Sequence, residues 1–470
     1  MLLERIYDED LAQASYLIGC QLLGEAVVVD PRRDINVYLD LAAKNDMRIT
    51  SVTETHIHAD YLSGTLELAA ATGARVFVSD EGGPDWTYGP AFDSATRMRD
   101  GDTITVGNLI LEAVHTPGHT PEHLSFLLTD GAQATAPGFM LTGDFVFVGD
   151  LGRPDLLDEA AGGVDTRFQG AKDLFSSLQN RLLTLPDYIQ ILPGHGSGSA
   201  CGKALGAVPT STIGYERAFS WWSQFVIEDD ETGFIEALLA GQPDAPSYFG
   251  RMKVHNRRGP EVRGPLPDLS RYSGEDFAAA LDRDEIIVID SRPHHEVHLG
   301  TVAGSVNIPG IEKSASFGAW VIDPDTEHRS LVVLAANESE AEQFRRHLMR
   351  VGIDRVVGYT LSLDGLELTT PRLVSPGDLN DFEHAVLLDV RNASEYAEGH
   401  LPGAVHITAG QVLWSTDHLP DEGTIVTYCR SGARNSVAAS ALRRRGYDIA
   451  ELEGSYLGWS QLPGNNPVTA

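Results

Sequence analysis

The sequence predicts a multidomain protein of the α/β class. Its 470 residues are enough for two to four domains of ordinary size. In the first half, apolar and β-branched runs end in Gly, Pro, His or Asp, which is typical of strands that deliver polar groups to one edge of a sheet. In the second half, strands alternate with helices in two copies of one pattern, which indicates a parallel sheet in each copy.

Most of the predicted strands lie in the first half of the chain. They are apolar runs of strand length, separated by turn residues. Two other segments have the spacing of helices, at residues 35–44 and 168–185. The segments predicted to contain strands are residues 21–30, 47–56, 74–80, 102–119, 124–130, 139–150 and 188–196.

Composition and charge argue against several kinds of partner. The formal net charge of −32 disfavours binding to nucleic acid or to an anionic membrane. No apolar run approaches the roughly 18 residues of a membrane span, and the first residues do not resemble a signal peptide. The three cysteines, Cys20, Cys201 and Cys429, are odd in number and far apart. This pattern argues against a disulfide framework and predicts a reducing, cytoplasmic location.

Two changes in composition mark the predicted domain boundaries. Residues 250–274 are rich in Arg, Pro and Gly within an acidic chain, and a second boundary is predicted near residues 363–376. The basic stretch 251–263 is interpreted as a solvated linker, with a site for a phosphate-bearing thiol such as coenzyme A as the alternative. The predicted domains are residues 1–250, 275–362 and 372–470.

The second half contains an internal repeat with an offset of 99 residues. The stretch VIDSRPHHEVHLGTVAGSVNIP aligns without a gap with LLDVRNASEYAEGHLPGAVHIT. Each copy then continues with an apolar strand, a short loop and an Arg-rich helix. The identical pairs include Asp290 with Asp389, Arg292 with Arg391, Glu296 with Glu395, and Gly304 with Gly403.

Polar residues cluster after the predicted strands of the first half. The stretch THIHADYLSG, residues 55–64, nearly spells the two-metal motif His-x-His-x-Asp-His, but Tyr61 occupies its last position. A phenol with an ordinary pKa of about 10 is a poor ligand beside imidazole, which disfavours a two-metal site. The candidate metal-binding residues in this half are His56, His58, Asp60, His119, Asp144 and His195.

These motifs resemble the metallo-β-lactamase superfamily, over roughly residues 1–249. The resemblance implies an αββα sandwich. Two histidines and one carboxylate favour non-haem Fe(II), and the persulfide dioxygenases of this superfamily use one such iron per chain. By motif, their ligands correspond to His56, His119 and Asp144. His58, Asp60 and His195 then support the ligands or handle protons, while Tyr61 either contacts substrate or O₂ or fills space.

Cys201 lies six residues after His195 in the Gly/Ser-rich stretch GSGSACGKALG. Such a loop is expected to be mobile and close to the metal. Two interpretations of Cys201 remain open, a reactive thiol beside the metal and an inert buried thiol.

The last copy of the repeat places Cys429 between a strand and a helix, in TYCRSGARNS. Backbone amides of residues 430–434, the helix N-terminus, Arg430 and Arg434 favour an anionic sulfur there. The arrangement resembles the rhodanese family, which transfers sulfur through a cysteine persulfide. A cysteine phosphatase needs five residues between Cys and Arg, whereas four separate Cys429 from Arg434.

The first copy has Ala335 or Ala336 where the second has its cysteine. No nucleophile remains, so residues 275–362 are expected to form a rhodanese-type domain without activity, acting as a spacer or a docking surface.

Together, the motifs resemble those of persulfide dioxygenase–rhodanese fusions. The resemblance implies that a low-molecular-weight thiol persulfide is oxidised by O₂ to sulfite at one Fe(II), and that Cys429 passes sulfur to sulfite, giving thiosulfate in sulfide detoxification. It also implies a homo-oligomer. Two alternatives stay open: a glyoxalase II-like thioester hydrolase with two metals, and a non-enzymatic persulfide sensor. The carrier thiol is left open between coenzyme A, glutathione and others.

Overall fold

The computed structural model describes residues 1–159, 166–382, 384–420 and 422–469. The chain divides into two compact units. The first comprises Met1–Gln242 and Phe249–Leu266, and the second comprises Pro243–Tyr248 and the chain from Pro267 onwards. Both units are mixed α/β, which confirms the predicted fold class. In the described part of the chain, no helix has the length and apolar character needed to cross a membrane.

The first unit contains two six-stranded sheets. The strands of each sheet follow one another in sequence order from one edge to the other, and antiparallel and parallel neighbours are mixed. The first sheet consists of β1 (Leu2–Asp8), β2 (Gln13–Cys20), β3 (Glu25–Val29), β4 (Arg48–Thr53), β5 (Arg75–Ser79) and β6 (Thr96–Met98). The second consists of β7 (Thr103–Val106), β8 (Leu109–His115), β9 (Leu124–Asp130), β10 (Phe139–Gly143), β11 (Gln190–Pro193) and β12 (Ser211–Thr212).

Helices cover the outer faces of these two sheets. Short 3₁₀ turns occur at Pro84–Trp86 and Pro90–Phe92, and a π-helical turn occurs at Leu178–Leu182. The helices are α1 (Asn36–Lys44), α2 (Thr65–Thr72), α3 (Leu156–Glu159), α4 (Thr166–Ser177), α5 (Ile213–Phe219), α6 (Ser223–Ile227), α7 (Glu231–Leu239) and α8 (Tyr248–Arg258).

Because side chains alternate along a strand, β2 contributes residues to two hydrophobic clusters, one on each face of its sheet. Side chains of successive strand residues point to opposite faces. On β2, Tyr16 and Ile18 belong to the cluster that contains Phe126 and Leu141 of the other sheet. Leu17 between them packs with Tyr38 and Leu68 of the covering helices. The outer face of the second sheet packs on α4 and α7. The layers are therefore helix, sheet, sheet, helix, the αββα sandwich expected from the sequence.

The stretch 250–274, predicted as a domain boundary, is helical in its first part. Residues 248–258 form α8, and the chain from Phe249 to Leu266 belongs to the first unit. Met252 and Asn256 are completely buried. These two residues are four positions apart and therefore lie on one face of α8. Burial of that face explains why this basic stretch packs against the first unit instead of forming a solvated linker. The first unit thus extends beyond the predicted end at residue 250.

Several strand predictions also need correction. β1 and β2 were not expected, because their alternation includes Arg, Asp, Gln and Ser. The segment 21–30 becomes a strand only at Glu25, since residues 20–24 form a turn with Gly24 at φ +62°. The segment 139–150 is a strand only to Gly143. The helix predicted at 168–185 ends as an α-helix at Ser177 and continues as the π-helical turn.

The second unit contains two five-stranded parallel sheets with the same strand order. The first has the order β13-β18-β17-β14-β16 and the second β20-β24-β23-β21-β22, so the sequence repeat has a structural counterpart. An extra pair joins β15 (Thr301–Val302) to β19 (Leu368–Thr369). The sheet strands are β13 (Ser270–Arg271), β14 (Ile286–Asp290), β16 (Val306–Asn307), β17 (Ser330–Leu334), β18 (Val356–Thr360), β20 (Arg372–Val374), β21 (Val386–Asp389), β22 (Val405–His406), β23 (Thr424–Tyr428) and β24 (Asp448–Leu452).

Helices separate these parallel strands, as parallel pairing requires. Short 3₁₀ segments lie at Pro376–Phe382, Val412–Trp414 and Thr416–His418. The helices are α9 (Gly274–Asp282), α10 (His294–Val297), α11 (Ser314–Val321), α12 (Glu338–Met349), α13 (Ala393–Glu398), α14 (Ala433–Arg444) and α15 (Ser455–Ser460).

Candidate metal centre and sulfur-transfer loop

The fold brings His56, His119 and Asp144 together from three loops. These loops follow β4, β8 and β10. One ligand atom of each residue lies within 4.8 Å of those of the other two, and all three side chains are buried. Asp144 Oδ2 is 3.9 Å from His56 Nε2 and 3.6 Å from His119 Nε2. The three residues therefore form one compact donor set.

Hydrogen bonds orient the donor atoms. His119 Nδ1 donates to the backbone carbonyl of Arg153 at 3.1 Å, and His56 Nδ1 lies 2.9 Å from Thr55 Oγ1. Each ring thus directs Nε2 toward Asp144. Within the described residues, neither carboxylate oxygen of Asp144 accepts a hydrogen bond. A buried carboxylate without donors is costly unless a cation balances it, so this set fits a metal ion.

The electrostatic environment keeps these three side chains in the protonation states that can bind a metal. Burial lowers the pKa of His56 well below its ordinary value, and the neighbouring His58 adds to the effect. Burial likewise lowers the pKa of His119. For Asp144, burial opposes ionisation, but His195 and His119 outweigh it and lower the pKa of the carboxyl group. Two neutral imidazoles and one carboxylate are the forms that a metal requires.

A second buried group lies beside the first. Asp60, His195 and Cys201 also have one ligand atom each within 4.8 Å of one another. His195 Nε2 is 3.4 Å from Asp60 Oδ2 and 3.5 Å from Asp144 Oδ2, so His195 links the two groups. Its Nδ1 donates to the carbonyl of Ala12 at 2.9 Å. The structure thus places Cys201 next to the donor set.

Burial dominates the chemistry of Cys201. It raises the pKa of the thiol to about 11, although the adjacent His195 acts in the opposite direction. For His195, burial lowers the pKa, but Asp144, Cys201 and Asp60 raise it well above the ordinary value. The two side chains therefore form an interacting thiol–imidazole pair at the edge of the donor set.

His58 and Tyr61 are arranged around Asp30, which the sequence analysis did not single out. His58 Nε2 donates to Asp30 Oδ1 at 3.1 Å, and the hydroxyl of Tyr61 donates to the backbone carbonyl of Asp30 at 3.1 Å. The Tyr61 side chain is fully buried, with its ring centroid 4.5 Å from that of His58. Burial and the carboxylates of Asp30 and Asp60 raise the pKa of the phenol well above its ordinary value. Tyr61 is therefore a neutral phenol whose hydrogen bond links the loop after β4 to Asp30.

Two other residues of the centre escaped the sequence analysis. His123 Nε2 accepts a hydrogen bond from the amide of Asp144 at 3.1 Å, and burial lowers the pKa of His123 to about 3. Arg153 orients His119 through its carbonyl, while its guanidinium donates to the carbonyl of Ala200 at 3.0 Å. The run HTPGHTPEH already contained His123 as a signal. No local pattern marked Arg153 or Asp30.

In the second unit, Cys429 directly follows β23 and is buried. The amide of Gly432 donates to its Sγ at 3.1 Å, and α14 begins one residue later. Arg434 pairs with Glu395 at 2.6 Å, and Arg430 is exposed. Although burial lowers the pKa of Arg434, Glu395 and then Cys429 raise it. The loop thus holds a buried sulfur beside an amide donor and a fixed cation.

Strand register locates the missing nucleophile of the first copy. Asp290 pairs with Leu334, as Asp389 pairs with Tyr428, so Ala335 occupies the position of Cys429. Asn337 caps α12 there by accepting a hydrogen bond from Glu340 at 3.0 Å. In this copy the loop therefore leads into α12 without a thiol, and acidic residues occupy the first turn of that helix.

The matched Asp and Arg of the repeat form the same contact in both copies. Arg292 donates to Asp290 at 2.9 and 2.7 Å and to the carbonyl of Gly300 at 2.8 Å. Arg391 donates to Asp389 at 3.0 and 2.6 Å and to the carbonyl of Gly399 at 2.7 Å. These positions stabilise the loop after the second strand of each sheet.

Comparison with known proteins identifies two domain types in this chain. The model of the metallo-beta-lactamase superfamily matches residues 9–195, and that of the rhodanese-like domain matches residues 377–462. A crystal structure of a metallo-beta-lactamase from Staphylococcus aureus is 36% identical, with a TM-score of 0.66, and the match covers 77% of this chain and 98% of that chain.

Curated relatives match the first unit. The mitochondrial persulfide dioxygenase ETHE1 of Bos taurus is 28% identical over 42% of this chain and 68% of its own length. A hydroxyacylglutathione hydrolase of Polaromonas is 30% identical over 42% of this chain and 66% of its own length. The predicted fusion of the two domain types is confirmed. The chain belongs to the metallo-β-lactamase superfamily and carries a rhodanese-like domain after its metallo-β-lactamase fold.

Proposed function

We propose that this protein oxidises a low-molecular-weight thiol persulfide with O₂ at a single Fe(II) and transfers sulfur through Cys429. The observation that carries the proposal is the donor set of His56, His119 and Asp144, whose carboxylate lacks a hydrogen-bond donor among the described residues. Two histidines and one carboxylate are the donor set of non-haem Fe(II) oxygenases. The persulfide dioxygenase relatives and the rhodanese-like domain support a role in sulfur metabolism.

The first reaction balances without another reductant. A persulfide RSSH, O₂ and water give RSH, sulfite and two protons. The Fe(II), when bound, would activate O₂ and bind the substrate sulfur. The chain's own contribution is to orient the ligands through Thr55 and Arg153 and to keep the histidines neutral by burial. His195 and Cys201 border the donor set and are available to hold a proton or sulfur.

The second reaction uses the Cys429 thiolate. It attacks the outer sulfur of a persulfide, forming an enzyme persulfide and releasing the thiol. Sulfite then attacks that outer sulfur, giving thiosulfate and restoring the thiolate. The Gly432 amide, 3.1 Å from Sγ, stabilises the thiolate form of Cys429, which attacks in the first step and is restored in the second. A hydrogen bond to a charged acceptor is stronger than one to a neutral acceptor.

A second candidate function is a thioester hydrolase with two metals. The sequence disfavours it because Tyr61 replaces a histidine. In the structure, Cys201 joins Asp60 and His195 to complete a second set of three donors next to Asp144. A thiolate is a good ligand for zinc. The relatives named hydroxyacylglutathione hydrolase are hydrolases of a thioester by that name.

Metal content and turnover separate the two functions. We expect one iron per chain after anaerobic reconstitution, and O₂ uptake with a panel of thiol persulfides, including those of coenzyme A and glutathione. Sulfite and thiosulfate would be quantified in the same reactions. Two zinc ions per chain together with thioester hydrolysis, and no O₂ uptake by the iron-loaded protein, would contradict the dioxygenase proposal.

A further inference from the structure

A histidine of the cysteine-free copy lies against the Cys429 loop. Gly432, whose amide donates to Cys429 Sγ, has φ +122°, in the region that favours glycine. A Cβ added at Gly432 would lie 2.6 Å from Nε2, 2.8 Å from Cδ2 and 3.1 Å from Cε1 of His294. The edge of the His294 ring therefore occupies the space that a side chain at residue 432 would need.

A contact through His298 holds the helix that carries this histidine. His298, one turn after His294 on the same segment, places Nε2 3.2 Å from Oε2 of Glu451. Glu451 is buried on β24 and accepts further hydrogen bonds from Asn435 at 3.2 Å and from Arg443 at 2.8 Å. The short helix α10 is thus anchored to the sheet and to the helix of the Cys429 copy. His294 has a fixed support beside the loop.

We propose that His294 is a positioning residue of the sulfur-transfer site. Its ring holds Gly432 in the conformation in which the amide points at the sulfur of Cys429. The copy without a cysteine, expected from the sequence to be a spacer or a docking surface, thereby supplies a wall of the neighbouring site. This inference rests on the proposed sulfur transfer for its consequence in turnover, but the contact can be tested without it.

Glycine explains why the loop needs external support. Gly432 has no side chain to pack, and it reaches more backbone conformations than any other residue. A hydrogen bond weakens steeply as its geometry departs from linear. A loop that is free to rotate at residue 432 would therefore lose much of the stabilisation that its amide gives to an anionic sulfur. A rigid ring in contact with residue 432 limits that rotation.

Packing, not charge, is the expected action of His294. Burial lowers its pKa, and the neighbouring His298 and His295 act in the same direction, so the ring is neutral near pH 7. The fixed charge near the sulfur comes from Arg434, which Glu395 holds in place. A flat apolar ring at position 294 should then preserve the conformation of Gly432, whereas a methyl group should be too small to do so.

Three variants of the full chain test this idea in the transfer of sulfur from thiosulfate to cyanide. His294→Ala should lower kcat about tenfold, the effect of weakening one hydrogen bond to a charged group, with little change in the KM for cyanide. His294→Phe should restore most of kcat. His295→Ala is the matched control, because His295 is an exposed neighbour on the same helix, and it should behave as wild type.

Alkylation of Cys429 by iodoacetamide, followed by peptide mapping across pH, gives a readout independent of turnover. The plateau rate reports access to the sulfur, and the midpoint reports stabilisation of the thiolate. In His294→Ala the midpoint should rise by about one pH unit, while His294→Phe should match wild type. If the midpoint rises in His294→Ala although the wild-type protein has no transferase activity, the proposed function fails and the positioning role stands. Equal midpoints in all variants, or equal defects in the Ala and Phe variants, would overturn the positioning role.

A double variant distinguishes a direct contact between residues 294 and 432 from a general destabilisation of the second unit. Gly432→Ala alone adds a methyl group that collides with the His294 ring. Removing the ring in Gly432→Ala/His294→Ala should relieve that collision and recover part of the lost kcat. A double variant as impaired as the sum of the two single losses would show that the residues act independently, and the inference would fail.

Discussion

The side-chain amide of Asn256 donates a hydrogen bond to the backbone carbonyl of His58 at 2.8 Å, across 198 residues of sequence. The same amide group donates to the carbonyl of Tyr61 at 2.7 Å, and its oxygen accepts from the amide of Ser63 at 2.8 Å. One fully buried side chain on α8 therefore satisfies three backbone groups of the loop between His58 and Ser63. This loop directly follows His56, so a helix predicted as linker supports the metal centre.

Asn256→Ala should destabilise the first unit and weaken iron retention. Losing the side chain leaves three buried backbone groups without a partner, which costs about 2–4 kcal/mol. Urea unfolding and iron content after dialysis measure the two effects. Val254→Ala is the control, because Val254 lies on the same helix with 55% of its surface exposed. An Asn256→Ala protein as stable as this control would show that these hydrogen bonds do not hold the loop.

Asp144→Ala should abolish iron binding and O₂ uptake together. Asp144 is the carboxylate of the donor set, and the two histidines alone leave the metal without charge compensation. Elemental analysis and an oxygen electrode measure the result. Asp173→Ala removes a half-buried carboxylate on α4, which accepts a hydrogen bond from Gln169, and serves as the control. Iron retained at one equivalent in Asp144→Ala would exclude Asp144 as a ligand.

Tyr61→Phe should keep most of the O₂ uptake. The lost hydroxyl donates to the carbonyl of Asp30, but that carbonyl also accepts from Gln13 Nε2 at 3.0 Å, so it stays partnered. We expect a loss of stability of about 0.5–1.5 kcal/mol, the net value of one hydrogen bond. A fall in kcat of about a hundredfold would instead assign proton transfer to the phenol, since general acid–base groups contribute that much.

Cys429→Ser should separate oxidation from transfer. A serine hydroxyl cannot form a persulfide, so this variant should still consume O₂ with a thiol persulfide but release sulfite in place of thiosulfate. Its transfer of sulfur from thiosulfate to cyanide should vanish. Ion chromatography distinguishes the two products. Thiosulfate formed at the wild-type rate would mean that the Cys429 loop is not the transferase.

Cys201→Ser tests whether the thiol beside His195 carries sulfur. If it does, the variant should give less thiosulfate per O₂ consumed, while its transfer of sulfur from thiosulfate to cyanide stays at the wild-type rate. Cys20→Ser is the matched control, because Cys20 is also a buried thiol and accepts a hydrogen bond from the amide of Asn108 instead. Identical product ratios in both variants would assign Cys201 a packing role.

Local patterns in the sequence were sufficient for the fold class and for the parts of each site that lie on one loop. Strand-length apolar runs ending in polar residues are set by neighbours a few residues apart, so they can be recognised without a structure. The same holds for the repeat, in which equal spacing predicts equal topology, and for Cys429, which lies between a strand and a helix.

The tertiary structure decided how these loops are held. The carbonyl of Ala12 orients His195 from 183 residues away, and Asn256 supports the loop of His58 from 198 residues away. His294 reaches the Cys429 loop from the other copy of the repeat. These contacts form only when whole layers of the fold pack together. A backbone carbonyl or a single side chain leaves no periodic signal in the sequence. The residues of the candidate sites could be recognised in the sequence, whereas the groups that position them became visible only when distant segments were folded together.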